Sequence, residues 1–153
     1  MLLLSTGCDV TNPTNTEVDA PANARDAIAW VAAEWASRFD MTDYELPPVR
    51  WFSGDCLTWN LVSEPHDCTT GMYFKSSPVN DEQIELVIGR ELWNTTIAHE
   101  FLHWTLQATR GDLDADHHDP RWAEVAEVEV GLCEYLNPGS TCAVAQPQPT
   151  AHR

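Results

Sequence analysis

At 153 residues the chain suits a single domain and is too short for two well-buried ones. Eight Lys+Arg stand against 24 Asp+Glu, a formal net charge of -16, which excludes the basic footprint of a nucleic-acid binder and a polybasic patch for anionic lipid headgroups. A hydrophobic fraction of 43%, with 7 tryptophans, separates the chain from a disordered acidic tail.

The first residues read MLLLSTGCD. Leu2-Leu3-Leu4 is too short to span a bilayer, which takes about 20 apolar residues. The run Ser5-Thr6-Gly7-Cys8 resembles the lipobox of bacterial lipoproteins, with Ser5 where that motif usually has Leu. The resemblance implies export, membrane attachment through a lipidated Cys8 and a place in the bacterial cell envelope, periplasmic or surface. The alternative is a leader with a free cysteine. Residues 9–21 are polar and rich in Pro, Thr and Asn, so residues 1–21 are expected to be a signal remnant and tether. The domain proper is expected over residues 22–142, with a disordered tail at 143–153.

Residues 22–39 carry apolar Ile28, Val31, Trp35 and Phe39 at three- and four-residue spacing, which predicts a helix with Asn23 as its N-cap. Pro47-Pro48 breaks the chain, and Val49–Phe52 predicts a short strand ended by Gly54-Asp55. Residues 57–70 read as a loop. Residues 72–74 predict a second strand, and residues 84–88 (IELVI) a third, with Ile84, Leu86 and Ile88 facing one way. A long helix is expected over residues 91–109, ended by Gly111. Residues 112–119 (DLDADHHD) form an acidic loop bearing His117 and His118. Asp119 then caps a last helix, with Pro120 at its first position, running to Leu136 and burying Trp122, Val125, Val128 and Leu132.

Five cysteines are present; with Cys8 set aside, four remain, and an even number in an exported chain suggests two disulfides. Three pairings are open. Closeness in sequence favours Cys56–Cys68 and Cys133–Cys142.

The chemistry concentrates in His99-Glu100-Phe101-Leu102-His103, an H-E-x-x-H inside the predicted helix. Two histidines one turn apart present both imidazoles from one face and can share a metal ion. Glu100 lies beside them, placed to take a proton from water. Four of the 6 histidines fall between residues 99 and 118, which concentrates imidazole around this segment.

With the strand 84–88 before it and a helix carrying H-E-x-x-H after it, the chain resembles the zincin metallopeptidases over roughly residues 48–120. The resemblance implies a small α+β zincin-like domain with a short sheet of about three strands packed against an active-site helix, flanked by further N- and C-terminal helices. It implies Zn²⁺ held by His99 and His103, with Glu100 as general base for hydrolysis of a peptide or protein substrate. It also makes residues 84–88 the edge strand that would pair with substrate. Neither the metzincin extension nor the second-helix signature of the thermolysin-like enzymes is met: Leu106 and Thr109 stand where the former has Gly and His. The third ligand is sought in His117 or His118, with His117 favoured because His118 is closer to the Asp119 cap, and with Glu124 or Glu127 on the next helix as the other option. Asp112, Asp114 or Asp116 could orient a ligating histidine. The same three aspartates resemble the start of a calcium loop, but Ala123 at position twelve excludes an EF-hand. Tyr44, Tyr73 and Tyr135 are candidate oxyanion stabilisers, and Trp104 a candidate wall. Two rival readings are a non-catalytic metal-binding or interaction domain on the envelope, and an adaptor whose histidines are incidental.

Overall fold

A computed structural model of the chain describes residues 14–57, 69–78, 81–88 and 96–142. Within them the order is β1 (Glu17–Val18), α1 (Ala24–Arg38), β2 (Val49–Phe52), β3 (Gly71–Phe74), β4 (Gln83–Val87), α2 (Ile97–Arg110), a 3-10 helix (Pro120–Glu124) and α3 (Val125–Leu136). The architecture is α+β, with three α-helices and a four-stranded mixed sheet in the order β1-β2-β4-β3. No helix among the described residues is long and apolar enough to cross a membrane.

The sheet is ordered by one short connection. Only residues 75–82 separate β3 from β4, so the two pair antiparallel, with Tyr73 opposite Ile84 and Gly71 opposite Leu86. On its other side β4 runs parallel to β2, with Val49 opposite Ile84 and Phe52 opposite Val87. β4 is therefore an interior strand, contrary to the expectation that residues 84–88 form the edge. The edge beside the helix α2 is β3. Burial agrees, since Ile84, Glu85, Leu86 and Val87 are all buried, as expected of a strand covered on both faces. Ile84 and Leu86 share a face as expected, whereas Ile88 lies past the strand and is 38% exposed. At the far edge, Glu17–Val18 pairs antiparallel with Trp51 and Phe52. Two residues carry no readable alternation, so a stretch expected as tether supplies a strand. Its Glu17 forms an ion pair with Arg50, which also reaches the buried Glu85.

One face of the sheet packs on α1 and α2. Trp51, Tyr73, Ile84 and Leu86 join Val31, Trp35, Ile97, Phe101, Leu102, Trp104 and Leu106 in the main core, which Val128 and Leu132 of α3 complete. A smaller cluster of Phe52, Leu57 and Val87 lies among the residues of opposite strand parity. In α1, Val31 and Trp35 are fully buried as expected, while Ile28 and Phe39 are only partly covered. Ala24, Ala27, Ala32 and Ala36 supply the rest of the buried face; their small side chains allow close packing. The Trp35 indole N–H donates to the Ala98 carbonyl at 2.9 Å and fixes α1 against the first turn of α2. Asn23 occupies the N-cap position in a left-handed conformation, but its side chain makes no capping hydrogen bond.

α2 begins at Ile97; residues 91–95 of the longer helix expected lie outside the described residues. Its C-terminus is Gly111, at φ 71°, a left-handed cap that glycine adopts without strain. Asp119 caps the next element as expected, accepting from the Arg121 amide, but what it opens is a 3-10 turn that becomes α helix only at Val125. The end of α3 is stapled by a disulfide between Cys133 and Cys142. Cys56 is also disulfide-bonded; Cys68, its expected partner, lies outside the described residues. The Ser5–Cys8 run and the tail 143–153 lie outside them too.

Candidate metal centre

The α2 helix places His99 and His103 one turn apart at the end facing β3, and their ring centroids are 5.0 Å apart. The chain then turns at Gly111 and returns beneath the helix. There His117 brings its ring to 4.9 Å from His99 and 5.1 Å from His103. One ligand nitrogen from each of the three lies within 4.8 Å of the others. Nε2 of His117 faces Nε2 of His103 at 3.2 Å. Donor atoms on a tetrahedral ion at metal–nitrogen distances of about 2.0–2.1 Å stand about 3.3 Å apart, so this pair has the spacing a shared zinc would require.

Local structure makes this convergence. Asp114 and His117 both have positive φ, 53° and 55°, a region non-glycine residues seldom occupy. The His117 amide donates to the Asp114 carbonyl at 2.9 Å, so the loop is a tight turn with His117 at its end. Strain of this kind is held only where the surroundings over-determine it. The Asp114 carboxylate does so, accepting from the amides of His118 at 3.1 Å and Asp119 at 2.7 Å, and from the Trp122 indole N–H at 2.6 Å. Asp112 in turn accepts from the Asp114 amide. These carboxylates hold the loop's own donors, so the acidic run serves as a scaffold for the turn that carries His117.

The second nitrogen of His103 is fixed by a backbone group, not by any of the three aspartates. Its Nδ1 lies 2.6 Å from the Leu113 carbonyl oxygen. A carbonyl only accepts, so Nδ1 carries the proton and Nε2 keeps a lone pair for a metal. Burial, with the neighbouring His103 and His117, depresses the His99 pKa to about 3, and burial also lowers that of His103. Both rings are therefore neutral at neutral pH, the state that ligation needs.

Glu100, the residue after His99, lies against the edge strand β3 and lines the same cavity as the histidines. Only 5% of its surface is exposed. Burial pushes its carboxyl up to about 8, although the Tyr73 main-chain N–H donates to it. The close approach depends on Gly71: a Cβ there would stand 2.9 Å from Glu100 Cγ and 2.5 Å from Thr96 Oγ1. A cavity of about 260 Å³ opens between strand and triad, lined by Gly71, Met72 and Tyr73 on one side, the three histidines and Glu100 at the base, and Leu113 and Ala115 opposite.

Of the expected residues, His99, Glu100, His103 and His117 meet. His118 does not: it is exposed and outside the cluster. Glu124 and Glu127 are not ligands, because their carboxylates pair with Arg38, and Glu124 also with Arg121. Tyr73 lines the cavity, but its hydroxyl donates to Glu82 at 2.6 Å. Tyr44 lies edge-on to Trp104 and Tyr135 stacks on Trp30, so neither reaches the triad. Trp104 is a core residue, 2% exposed, and not a wall of the cavity. The sequence reading missed Trp122, expected only as a buried helix residue, which lies against all three histidine rings. It also missed the walls made by Met72 and Leu113.

Comparison with family models, with curated proteins and with solved structures gives no match.

Proposed function

We propose that this chain is a small zincin-like metallopeptidase, with His99, His103 and His117 as the zinc ligands and Glu100 as general base. The observation that carries the reading is the convergence of three imidazoles, those of His99 and His103 kept neutral by burial, beside a buried carboxylate at the foot of a cavity. The donor set fits: imidazole suits zinc, and three histidines leave a position open, as catalytic sites do. Lewis acidity is what the ion supplies when bound, polarising a carbonyl and acidifying water.

The protein's own groups do the rest. Glu100 acts as its carboxylate, the form that a cation beside it would favour against the burial that raises its proton affinity; it takes a proton from the attacking water and delivers it to the amine nitrogen as the C–N bond breaks. β3 borders the cavity as the outermost strand on that side of the described sheet, and an extended peptide would add to it by main-chain pairing. That role passes to β3 from residues 84–88, which β2 and β3 enclose. An envelope location through a lipidated Cys8 is the accompanying proposal and rests on the sequence alone.

Glu100→Gln tests the reading. The zinc-loaded variant is expected to keep its metal and lose at least about 100-fold in cleavage of a peptide library, the scale of a lost general base. Full cleavage by the variant would overturn the assignment. Metal binding by both proteins with cleavage by neither would favour the non-catalytic metal-binding domain.

A further inference from the structure

The Trp122 indole lies 4.7 Å from the His99 ring, 4.6 Å from His103 and 4.2 Å from His117, centroid to centroid. The histidine rings are themselves 4.9 to 5.1 Å apart, so the indole is nearer to each of them than they are to one another. Yet Trp122 is not part of the cavity wall. It abuts the triad from a side other than the one open to the cavity. Its orientation is set by the N–H bond to Asp114, the carboxylate that also ties down the two amides following His117.

We infer that Trp122 is a positioning residue for the metal centre, an aromatic floor that holds the three imidazoles in register, and that Asp114 latches the floor and the His117 loop together. The inference rests on the zinc-site reading above. Its physical basis is that an imidazole keeps its lone pair aimed at a shared point only while packing or a hydrogen bond fixes its χ2; the Leu113 carbonyl does this for His103. Two histidines on a helix share a rigid frame. The third comes from a strained loop and needs an external brace, and one indole in contact with all three provides it. A partner outside the ligand set that orients ligands in this way is worth about 10- to 100-fold in metal affinity.

The experiment measures zinc affinity by chelator competition, and the visible spectrum of the cobalt-loaded protein, for wild type, Trp122→Ala, Trp122→Phe and Asp114→Asn. Circular dichroism of the metal-free forms checks folding. Trp122→Ala is expected to bind zinc about 10- to 100-fold more weakly, with an altered cobalt spectrum. Trp122→Phe keeps a ring on the triad while losing the N–H, and is expected to recover much of the affinity and the wild-type band shape. Asp114→Asn, short of one acceptor, is expected to weaken binding while leaving helix content unchanged. Wild-type affinity in Trp122→Ala would overturn the inference and spare the zinc site. Equal weakening by Ala and Phe would overturn the role of the ring. If Trp122→Ala does not fold, the Phe and Asn variants decide, and wild-type affinity in both would overturn the proposal. Wild type binding neither ion would remove the zinc-site reading, and this inference with it.

Discussion

At the scale of single residues, the centre joins groups with opposed proton affinities, and that sets a pH profile for the metal-free protein. His99 falls from an ordinary 6.5 to about 3 on folding, mainly through burial. The unfolded chain therefore binds more protons between those values, and stability drops as pH falls through that window. Glu100 rises from 4.5 to about 8, again through burial. The folded chain binds the extra proton there, so stability drops as pH rises toward 8. The two oppose each other between 4.5 and 6.5, where the lowered His103 adds to the acid-side loss. The melting temperature of the metal-free protein should thus fall on both sides of a maximum near pH 6.5. In Glu100→Gln the alkaline decline should shrink, leaving the smaller share of Glu129, whose pKa burial also raises, while the acid decline stays; an unchanged alkaline decline in that variant would contradict the assignment. Much of this centre was legible in the sequence. His99, Glu100 and His103 follow from helix periodicity, a local property. His117 was legible as the favoured of two neighbours from the Asp119 cap beside His118; the left-handed turn at Asp114 that brings it to the other two was not. Trp122 was not legible as a site residue, since a tryptophan near the start of an amphipathic helix reads as core.

At the scale of elements, the packing of β3 on α2 governs where the Glu100 carboxylate sits. Gly71 admits Glu100 to the strand because it has no Cβ; one would lie 2.8 Å from Leu86 Cδ2 as well as against Glu100 and Thr96. Gly71→Ala must therefore displace the strand or the carboxylate. Overpacking of this kind costs about 1–3 kcal/mol, so a lower melting temperature is expected. Hydrolysis should fall far more than zinc affinity, since the three imidazoles lie elsewhere on the helix and loop. A variant that cleaves peptides as well as wild type would show that the strand does not set the base. Helices α1, α2 and α3 and strands β2, β3 and β4 were legible to within a few residues at their described ends, because each carries its own apolar period. The order of the strands was not. Which strand is the edge depends on β3 folding back onto β4, a long-range outcome that no period of two encodes, and the two residues of β1 are too few to show a period at all.

At the scale of the whole molecule, a small sheet and three helices among the described residues hold the histidine centre against a largely apolar core, in which Glu85 and Thr105 are also buried. The loop that brings in His117 is anchored at both ends. Arg110, at the end of α2, pairs with Asp119 before the 3-10 helix. Further on, Arg38 of α1 reaches Glu124 and Glu127, and Arg121 reaches Glu124 and the Arg38 carbonyl. These partly exposed pairs contribute little individually. Together they tie the first and last helices around the segment that follows His117. The acidic balance of the chain, -16, also favours cations over anions in its neighbourhood. The central claim is that His99, His103 and His117 form one metal site, and elemental mass spectrometry of the purified protein tests it most directly. Wild type and His118→Ala are expected to carry about one zinc per chain after incubation with the ion and buffer exchange, and His117→Ala and the His99→Ala/His103→Ala double variant to carry little or none. Zinc missing from wild type, or kept in full by the double variant, would contradict the account.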